Sequence, residues 1–360
     1  MANGIIIDKP ADWTSMDVCH PRKILLRGPL VLLNFLGGNK FRLRQGFGFA
    51  KTLVRAKRRG AWRTLLTTGD FMANGIIIID KPAYWTSMDV CAKLRGILKT
   101  RKVGHAGTLD PMATGVLPVF VGQATRGVSF AESGEKEYVA VLRLGLVTDT
   151  QDISGRVLEE RHPAVTAEEL AAVLPRFTGD IEQIPPMYSA IKINGQKLYD
   201  LARQGREVER TPRAVTIHEL ELLEQLSSGD YRLRVRCSKG TYIRTLCHDI
   251  GQALGCGGCM AALRRTMAAG YTLAESHTID EVQSQGESLL RPVDTLFRQY
   301  PAFHISHSRV EQLCRNGNPF TVKAPQADGL YRVYGMEGDF LCLSRLENGQ
   351  MTSVKNFFGA

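Results

Sequence analysis

The feature that most constrains the fold of this chain is a twelve-residue stretch that occurs twice. DKPADWTSMDVC occupies residues 8–19 and DKPAYWTSMDVC occupies residues 80–91, so the two copies differ at one position. A repeat architecture needs at least three units to bury a shared core, and two fragments do not supply it. We therefore interpret the pair as a recent partial duplication, in which one copy belongs to the folded domain and the other does not.

The residues after each copy identify the one that folds. In the second copy Thr86 or Ser87 can cap a helix, with Asp89 in the first turn, where the helix dipole favours a negative charge. Apolar residues then recur at helical spacing, at Val90, Cys91, Leu94, Ile97 and Leu98. In the first copy Pro21 falls inside the corresponding helix, where a proline costs about 3 kcal/mol. Only the copy at 80–91 can continue into its helix.

Most of the net charge of +10 belongs to the surplus copy and the residues after it. Residues 1–71 carry 13 Lys and Arg against four Asp, which leaves 33 basic and 32 acidic residues in 72–360. The bulk charge therefore says little about the partner of the folded part. Because these residues show no sustained period, we predict that 1–71 is disordered or poorly packed.

The overall composition is typical of a soluble, cytoplasmic globular protein. A chain of 360 residues, 44% hydrophobic and 23% charged, is long enough for two domains. The apolar run PLVLLNFL at 29–36 is much too short to span a membrane. Eight cysteines without paired spacing indicate buried thiols in a reduced compartment. We interpret the two cysteines of CGGC at 256–259 in the same way. The sequence contains neither the second CxxC nor the pair of histidines that would complete a metal site with them.

Strand and helix patterns are mixed along 72–360, which predicts an α+β fold. The tail from about residue 300 is β-rich, as expected for a small β-barrel packed on a larger domain. The patterns are a buried strand at NGIIIID (74–80), a strand in EKEYVAVLRLGLVTDT (135–150), a capped helix at VTAEELAAVLPRFTGDI (165–181), and a strand followed by a helix in YRLRVRCSKGTYIRTLCHDIGQALG (231–255). The last helix is expected to stop at Gly255.

The strand at 231–237 places Arg232, Arg234 and Arg236 on the face opposite its apolar residues. Two interpretations have equal weight. The arginines could track nucleic-acid phosphates, or they could form the solvated face of a strand.

The densest candidate for chemistry is GHAGTLDPMATGVL at 104–117. Its glycines permit a tight, exposed turn, and Asp110-Pro111 fits a helix N-cap followed by proline at the first helical position. Taken alone, Asp110 is explained at least as well by a capping role as by a catalytic one. The stretch lacks the Gly-Lys-Ser/Thr of a phosphate loop, and His105 and Asp110 have no nearby third ligand for a metal.

The run from 75 to 126, including GHAGTLDPMATGVL, resembles the TruB family of tRNA pseudouridine synthases almost residue for residue. The resemblance covers essentially all of 72–360, in order, through KEYVAVLRLGLVTDTQDISG (136–155), QIPPMYSAIKINGQKLYDLARQGREVER (183–210), SKGTYIRTLCHDIGQALG (238–255) and LRRTMAAGYTL (263–273). It implies a pseudouridine-synthase fold, with a central mixed, largely antiparallel sheet flanked by helices. It also implies a catalytic domain at 72–297 and a PUA-like RNA-binding β-barrel at 298–360. Met72 stands where the N-terminus of the family would begin, so we expect it to be the functional start.

The implied activity is isomerisation of uridine 55 in the T arm of tRNA. The C1′–N1 bond breaks, the base turns, and C5 is joined to C1′. No cofactor or metal is implied, because nothing is oxidised and no group is imported. The implied partner is the T-arm stem-loop of tRNA, bound by a monomer without a membrane. The rival interpretation is a non-catalytic tRNA-binding or tRNA-folding protein on the same scaffold.

The resemblance assigns catalytic roles to three residues. Asp110 matches the family nucleophile, whose carboxylate adds to C6 of the uracil or to C1′ of the ribose, and the sequence leaves both open. Tyr138 matches a tyrosine that stacks on the base and handles the C5 proton. Arg244 matches the arginine that orients the aspartate and keeps it charged. Without the resemblance, Tyr138 would be a core aromatic and Arg244 a helix-surface arginine.

Three further residues match positions that bind substrate. His105 matches the residue that enters the RNA loop as the target nucleotide flips out. Tyr242 lies two residues before Arg244 and is expected to line the same pocket. Lys81 matches a lysine expected to support the surroundings of Asp110 or to bind phosphate, whereas its duplicate Lys9 is not expected to take part.

Overall fold

The computed structural model describes residues 73–358 apart from 190, 194 and 323–325, without the side chains of 192 and 197. It also describes the backbone of four strands nearer the start of the chain. They form two antiparallel pairs, β1 (Leu33–Asn34) with β2 (Arg42–Leu43) and β3 (Thr52–Arg58) with β4 (Ala61–Thr67). The rest of 1–72, including the first copy of the repeat, lies outside the described residues, so the disorder expected for 1–71 stays a prediction.

A nine-stranded sheet forms the centre of the unit that begins at Ala73. Its strands are β5 (Gly75–Lys81), β6 (Val103–His105), β7 (Thr114–Val121), β8 (Lys136–Leu144), β11 (Gly179–Gln183), β14 (Arg213–Ser227), β15 (Asp230–Cys237), β16 (Gly258–Ala268) and β17 (Tyr271–Thr272). Two small antiparallel pairs lie between them in sequence, β9 (Leu146–Thr148) with β10 (Val157–Glu160) and β12 (Lys192–Ile193) with β13 (Gln196–Lys197).

The strand order of the central sheet is β11-β14-β15-β8-β16-β7-β5, with β17 beside β16 and β6 beside β7. All neighbours run antiparallel except β16 and β7, which are parallel. The expected mixed, largely antiparallel sheet is therefore confirmed. Strand β5 shows why both faces are covered, because Ile76 and Ile78 enter one buried cluster while Ile77 and Ile79 enter another.

Helices flank this sheet, as the α+β prediction requires. The α-helices are α1 (Ser87–Ile97), α2 (Val128–Glu132), α3 (Ala167–Val173), α4 (Leu198–Arg203), α5 (Ile243–Ala253), α6 (Ile279–Gln285) and α7 (Ser308–Arg315), and the 3₁₀ helices are Gly122–Gly127, Leu174–Phe177, Leu273–Glu275, Gly286–Leu289 and Val293–Phe297. Thr86, one of the two predicted caps, is the N-cap of α1, and it forms a capping box with Asp89 in the first turn. None of the described helices has the length and apolarity needed to cross a membrane.

The single helix predicted at 165–181 is wrong. Helix α3 ends at Val173, a 3₁₀ turn covers Leu174–Phe177, and β11 begins at Gly179. Pro175 is the physical reason, because it has no backbone N–H to donate and its ring collides with the preceding helical turn. The N-terminal half of the prediction is correct, since Thr166 caps the helix with Glu169.

The β-rich tail is confirmed as a five-stranded sheet in the order β18-β20-β21-β22-β19. Its strands are β18 (Ala302–His304), β19 (Phe320–Thr321), β20 (Gly329–Tyr334), β21 (Phe340–Glu347) and β22 (Gln350–Asn356). The Phe297 ring lies 6.1 Å from that of Phe340 and 5.5 Å from that of Phe357. The tail thus packs against residues on the other side of the expected boundary at 297/298, which itself stays a prediction.

Candidate active site

Asp110 lies in a tight turn between β6 and β7, and the helix expected to start there is absent from the structure. The N–H of Ala113 donates to the carbonyl of Asp110 at 3.0 Å, and β7 begins at Thr114. The residues after the turn are β-branched and aromatic, which favours a strand. The interpretation of Asp110 as a helix cap is therefore wrong, and its carboxylate is free to pair elsewhere.

That carboxylate is paired with Arg244, 134 residues further along the chain. Arg244 Nε lies 3.0 Å from Asp110 Oδ2, and Nη2 donates to Oδ1 at 3.3 Å, so the contact is bidentate. The Arg244 side chain is 7% exposed and the Asp110 side chain 33% exposed. The guanidinium is thus buried behind a carboxylate whose outer side remains accessible.

Backbone carbonyls fix the Arg244 guanidinium from behind. Nη1 donates to the carbonyl of Thr150 at 3.1 Å, and Nη2 donates to that of Tyr188 at 2.9 Å. Because a planar guanidinium held at several points cannot rotate freely, it determines the orientation of the Asp110 carboxylate. Helix α5 supplies this arginine in its first turn, directly after the strand-to-helix change that the sequence predicts.

Asp152 is a second carboxylate near Arg244, which sequence reasoning missed. Its Oδ2 lies 3.8 Å from Arg244 Nη1, and its side chain is 6% exposed. Its Oδ1 accepts hydrogen bonds from the N–H of Ser154 at 2.9 Å and from the hydroxyl of Thr150 at 2.9 Å. The only sequence signal is an aspartate in the TDTQDISG turn, which is indistinguishable from an ordinary turn residue.

The electrostatics of Asp110 combine opposing effects. Burial raises the pKa of its carboxyl group above the usual range, and the charge of Asp152 raises it further. The charge and hydrogen bond of Arg244, together with the charge of Lys81, lower the pKa. Arg244 therefore opposes the effect of burial and favours the ionised form of the carboxylate.

Lys81 supports the turn that carries Asp110. Its Nζ donates to the carbonyls of Pro82 at 2.9 Å, Trp85 at 2.6 Å and Pro111 at 3.1 Å. The lysine is fully buried, and burial lowers its pKa to about 8. The second copy of the repeat is thereby tied to the residue that follows Asp110.

Helix α1 holds the other side of the same turn through Ser87. The N–H of Leu109 donates to Ser87 Oγ at 2.9 Å, and Ser87 Oγ lies 3.3 Å from the Leu109 carbonyl. Sequence reasoning considered Ser87 only as a helix cap, a position that Thr86 occupies. The residues just before and just after Asp110 are thus both fixed by the DKPAYWTS segment.

Tyr138 lies in the middle strand β8, between β15 and β16, with Val235 and Arg265 as its opposite residues. It is 7% exposed and belongs to the same buried cluster as Leu109 and Ala113, which flank the aspartate in the turn. Burial raises the pKa of its phenol, and the charge of Arg265 lowers it. The charge of the candidate nucleophile also raises this pKa.

His105 and Tyr242 lie beside this group without a described contact to Asp110. His105 is half-buried in β6, and its Nδ1 has no hydrogen-bond partner among the described residues. Burial, followed by the charge of Arg265, lowers the pKa of His105, which leaves the imidazole neutral at pH 7. Tyr242 is the N-cap residue of α5, and its N–H donates to Gln183 Oε1 at 3.0 Å.

The part of the chain that the structure describes contains no group of three or more His, Cys, Asp or Glu side chains placed to hold a metal ion. In the CGGC stretch both thiols are free, with Cys259 buried and Cys256 half-buried. The expectation of two buried thiols in this stretch is therefore confirmed for Cys259 and wrong for Cys256.

Comparison with family models identifies two matching regions. A model described as TruB family pseudouridylate synthase (N terminal domain) matches residues 95–243. A second, described as tRNA pseudouridylate synthase B C-terminal domain, matches residues 244–298. The first contains Asp110 and Tyr138, and the second begins at Arg244.

Curated relatives match most of the chain. A protein from Stutzerimonas stutzeri named tRNA pseudouridine synthase B is 45% identical over 290 residues, which cover 77% of this chain and 93% of the relative. A protein of the same name from Dechloromonas aromatica is 47% identical over 266 residues, which cover 72% and 88%.

Solved structures show a similar fold. A crystal structure of a Cbf5-Nop10-Gar1 complex aligns with a TM-score of 0.60 at 27% identity, covering 80% of this chain and 86% of that chain. A structure of an H/ACA RNP bound to a substrate RNA containing 2′-deoxyuridine aligns with a TM-score of 0.59 at 26% identity.

Proposed function

This chain belongs to the TruB family of pseudouridylate synthases, and from that premise we propose the target and the residues of its reaction. It isomerises uridine to pseudouridine in tRNA, the activity that names its relatives. The proposed target is uridine 55 in the T arm, and the proposed nucleophile is Asp110. The observation that carries the proposal is the bidentate pair of Asp110 with a buried Arg244.

The pair suits a nucleophile better than a structural ion pair. A third of the Asp110 side chain is accessible although its partner is almost fully buried, so a reacting atom can approach one side of the carboxylate. Breaking a buried pair costs several kcal/mol, roughly 3–5, which keeps Arg244 and Asp110 together between turnovers. The carboxylate is thus oriented and accessible, and Arg244 favours its ionised form.

The proposed chemistry uses only side chains. The C1′–N1 bond breaks with its electron pair left on the base, while Asp110 bonds to C1′ or to C6. After the base turns, C5 bonds to C1′ and the carboxylate leaves with its electron pair. Tyr138, as the phenolate, accepts the C5 proton and passes it to water, the C5–H electron pair forms the C5=C6 double bond, and N1 takes a proton from water. No electrons are lost, so the scheme requires no cofactor or metal.

We assign substrate-binding roles to His105, Lys81 and Tyr242. A stacked nucleotide hides C1′ and C6, so the target base must leave its stack, at a cost of a few kcal/mol that contacts in the pocket offset. Neutral His105 can enter an RNA loop at lower desolvation cost than a charged side chain. We also assign RNA binding to the C-terminal sheet as a PUA-like domain. The monomeric state and cytoplasmic location stay predictions.

Asp110→Asn tests the proposal on unmodified tRNA labelled with [5-³H]uridine, because pseudouridine formation releases the tritium at C5. We expect no detectable release and tRNA affinity within about threefold of wild type, since the amide keeps the shape and loses the nucleophile. The matched control is Asp230→Asn, which removes a carboxylate from another bidentate arginine pair, with Arg143 at 2.8 and 2.7 Å. We expect it to keep full activity.

Two results would contradict the proposal. Tritium release by Asp110→Asn at more than about one thousandth of the wild-type rate would exclude this residue as the nucleophile. Pseudouridine mapped elsewhere than position 55 would reject the proposed target. A wild-type protein that binds tRNA without releasing tritium would support the non-catalytic alternative.

A further inference from the structure

Arg265 is a fully buried arginine whose charge has no carboxylate partner. Its Nε donates to the carbonyl of Val116 at 2.7 Å, and its Nη2 donates to that of Gly107 at 3.0 Å. Nη1 is buried without a hydrogen-bond partner among the described residues, and none of their carboxylates lies within 4.0 Å of the guanidinium. Arginine is almost never fully buried unless it is paired, so this exception needs an explanation.

The neighbouring residue shows the ordinary arrangement. Arg264 is 43% exposed at its side chain and forms a bidentate pair with Asp80, at 2.7 Å between Nη2 and Oδ2. Two consecutive arginines on β16 therefore point to opposite faces of the sheet, and only the buried one lacks a carboxylate. Packing alone does not explain why the inward position carries a charge.

The residue opposite Arg265 is Tyr138. The two are Cα partners in the antiparallel pairing of β16 with β8, so their side chains leave the same face of the sheet as neighbours. The same guanidinium holds the carbonyl of Gly107, in the turn between His105 and Asp110. Arg265 thus connects the turn that carries the nucleophile with the strand that carries the tyrosine.

We propose that Arg265 is a positioning residue for the isomerisation, which lies beside the Tyr138 phenol and stabilises the phenolate that accepts the C5 proton. The inference rests on the role proposed above for Tyr138. A fixed positive charge in a water-poor site stabilises the negative charge of the phenolate without reorganisation. The charge of Arg265 lowers the pKa of Tyr138 against the effect of burial.

Arginine fits this role better than lysine. A guanidinium keeps its proton when buried, whereas a buried ammonium loses its own readily. Two nearby lysines illustrate the difference, because burial lowers the pKa of Lys81 to about 8 and also lowers that of Lys136. A lysine at position 265 would therefore be charged at low pH and would lose its charge as the pH rises.

This difference gives a test with two variants, Arg265→Gln and Arg265→Lys. Single-turnover tritium release from unmodified tRNA is measured between about pH 6 and about pH 9, with tRNA affinity and melting temperature measured in parallel. We expect Arg265→Gln to lose about 30-fold at every pH. We expect Arg265→Lys to lose about threefold or less at low pH and to approach the loss of the Gln variant at high pH.

The matched control is Arg143→Lys on β8, the strand of Tyr138, where the arginine pairs with Asp230. We expect its rate to match wild type at all pH values. A loss in Arg265→Lys that is equal at every pH would assign Arg265 a purely structural role and overturn the proposal. So would wild-type activity in Arg265→Gln. If the Gln variant does not fold, the pH profile of the Lys variant alone decides.

The assay separates this inference from the proposed target. It follows total tritium release, so it remains valid if pseudouridine maps to a position other than 55. As a second measurement, Arg265→Lys is combined with Tyr138→Phe. We expect the effect of the lysine to fall below about twofold in that background, because non-additivity marks residues that act through each other. A full effect in the Phe background would overturn the proposal.

Discussion

Arginine–carboxylate pairs occur in this molecule in two opposite surroundings. Arg244 on α5 is 7% exposed and holds a single catalytic candidate, Asp110. Eight to twelve residues earlier in the chain, the outward face of β15 carries a ladder of exposed pairs with β14. The ladder pairs are Arg232 with Glu224, Arg234 with Glu221 at 2.6 Å, and Arg236 with Glu219 at 2.8 Å, and the last arginine also contacts Glu135 at 3.0 Å.

The two kinds of pair differ in how strongly water and salt screen the interaction between their charges. The ladder is 35–43% exposed at its arginines, so water and salt screen each pair and their contribution is small. Each ladder arginine already has a glutamate, which favours the interpretation of this stripe as a solvated strand face over a phosphate track. Salt and water screen the pair of Arg244 with Asp110 much less, and we expect its geometry to be critical for function.

Among the substitutions that test this comparison, Arg244→Lys is expected to cause the largest loss of activity. A lysine cannot contact both carboxylate oxygens and also the carbonyls of Thr150 and Tyr188, so the carboxylate loses its orientation. We expect single-turnover tritium release to fall about 100-fold or more while tRNA affinity stays within about threefold. Arg234→Lys in the ladder is the control, with wild-type activity expected. Equal effects of the two substitutions would contradict the distinction.

The pH dependence of the rate sharpens the same contrast. The pKa of Asp110 is raised by burial, so its carboxylate takes up a proton at a higher pH than an ordinary aspartate. The nucleophile must be ionised, and the rate is therefore expected to fall as the pH drops through this raised pKa. Stopped single-turnover assays at decreasing pH measure this acidic limb.

Asp152→Asn tests one cause of the raised pKa of Asp110. Its negative charge raises the pKa of Asp110, so its removal lowers that pKa and moves the acidic limb to lower pH. Glu219→Gln, which removes a carboxylate from the exposed ladder, is expected to leave the limb in place. An unchanged limb in Asp152→Asn would show that its charge does not reach Asp110.

The smallest expected effect concerns exposed cations that lack partners. Lys99, Arg101 and Lys102 follow α1, shortly before His105, and none lies within 4.0 Å of a carboxylate in the described parts of the chain. A triple Gln variant is expected to weaken tRNA binding and to flatten its salt dependence by about 0.9 per lost phosphate contact. Binding titrations at several salt concentrations measure this slope.

The matched variant replaces Arg232, Arg234 and Arg236 with Gln, and so removes the same number of charges from the ladder. We expect its tRNA salt slope to equal that of wild type and its melting temperature to change by less than about 3 °C. A reduced slope in the ladder variant would restore the phosphate-track interpretation. An unchanged slope in the α1 variant would remove that surface from RNA binding.

The sequence predicted local structure where one local signal dominated. The alternation in β8 and β15 and the capping box of α1 are confirmed, because side-chain period and capping chemistry act within a few residues. The prediction of one helix continuing across Pro175 was wrong. It gave more weight to the apolar pattern than to a proline, which lacks the backbone N–H that a helix requires. The prediction that Asp110 caps a helix was also wrong, because the residues after this local cap signal form strand β7 and not a helix.

The sequence by itself determined the family, the sheet-forming segments, and Asp110, Tyr138 and Arg244 as candidates through resemblance. Tertiary structure alone decided that Arg244 meets Asp110 across 134 residues and that Arg265 stands opposite Tyr138. It also decided which arginines are neutralised. The physical reason is that strand register and burial arise from long-range packing, whereas the spacing of residues in a sequence reports only their immediate neighbours.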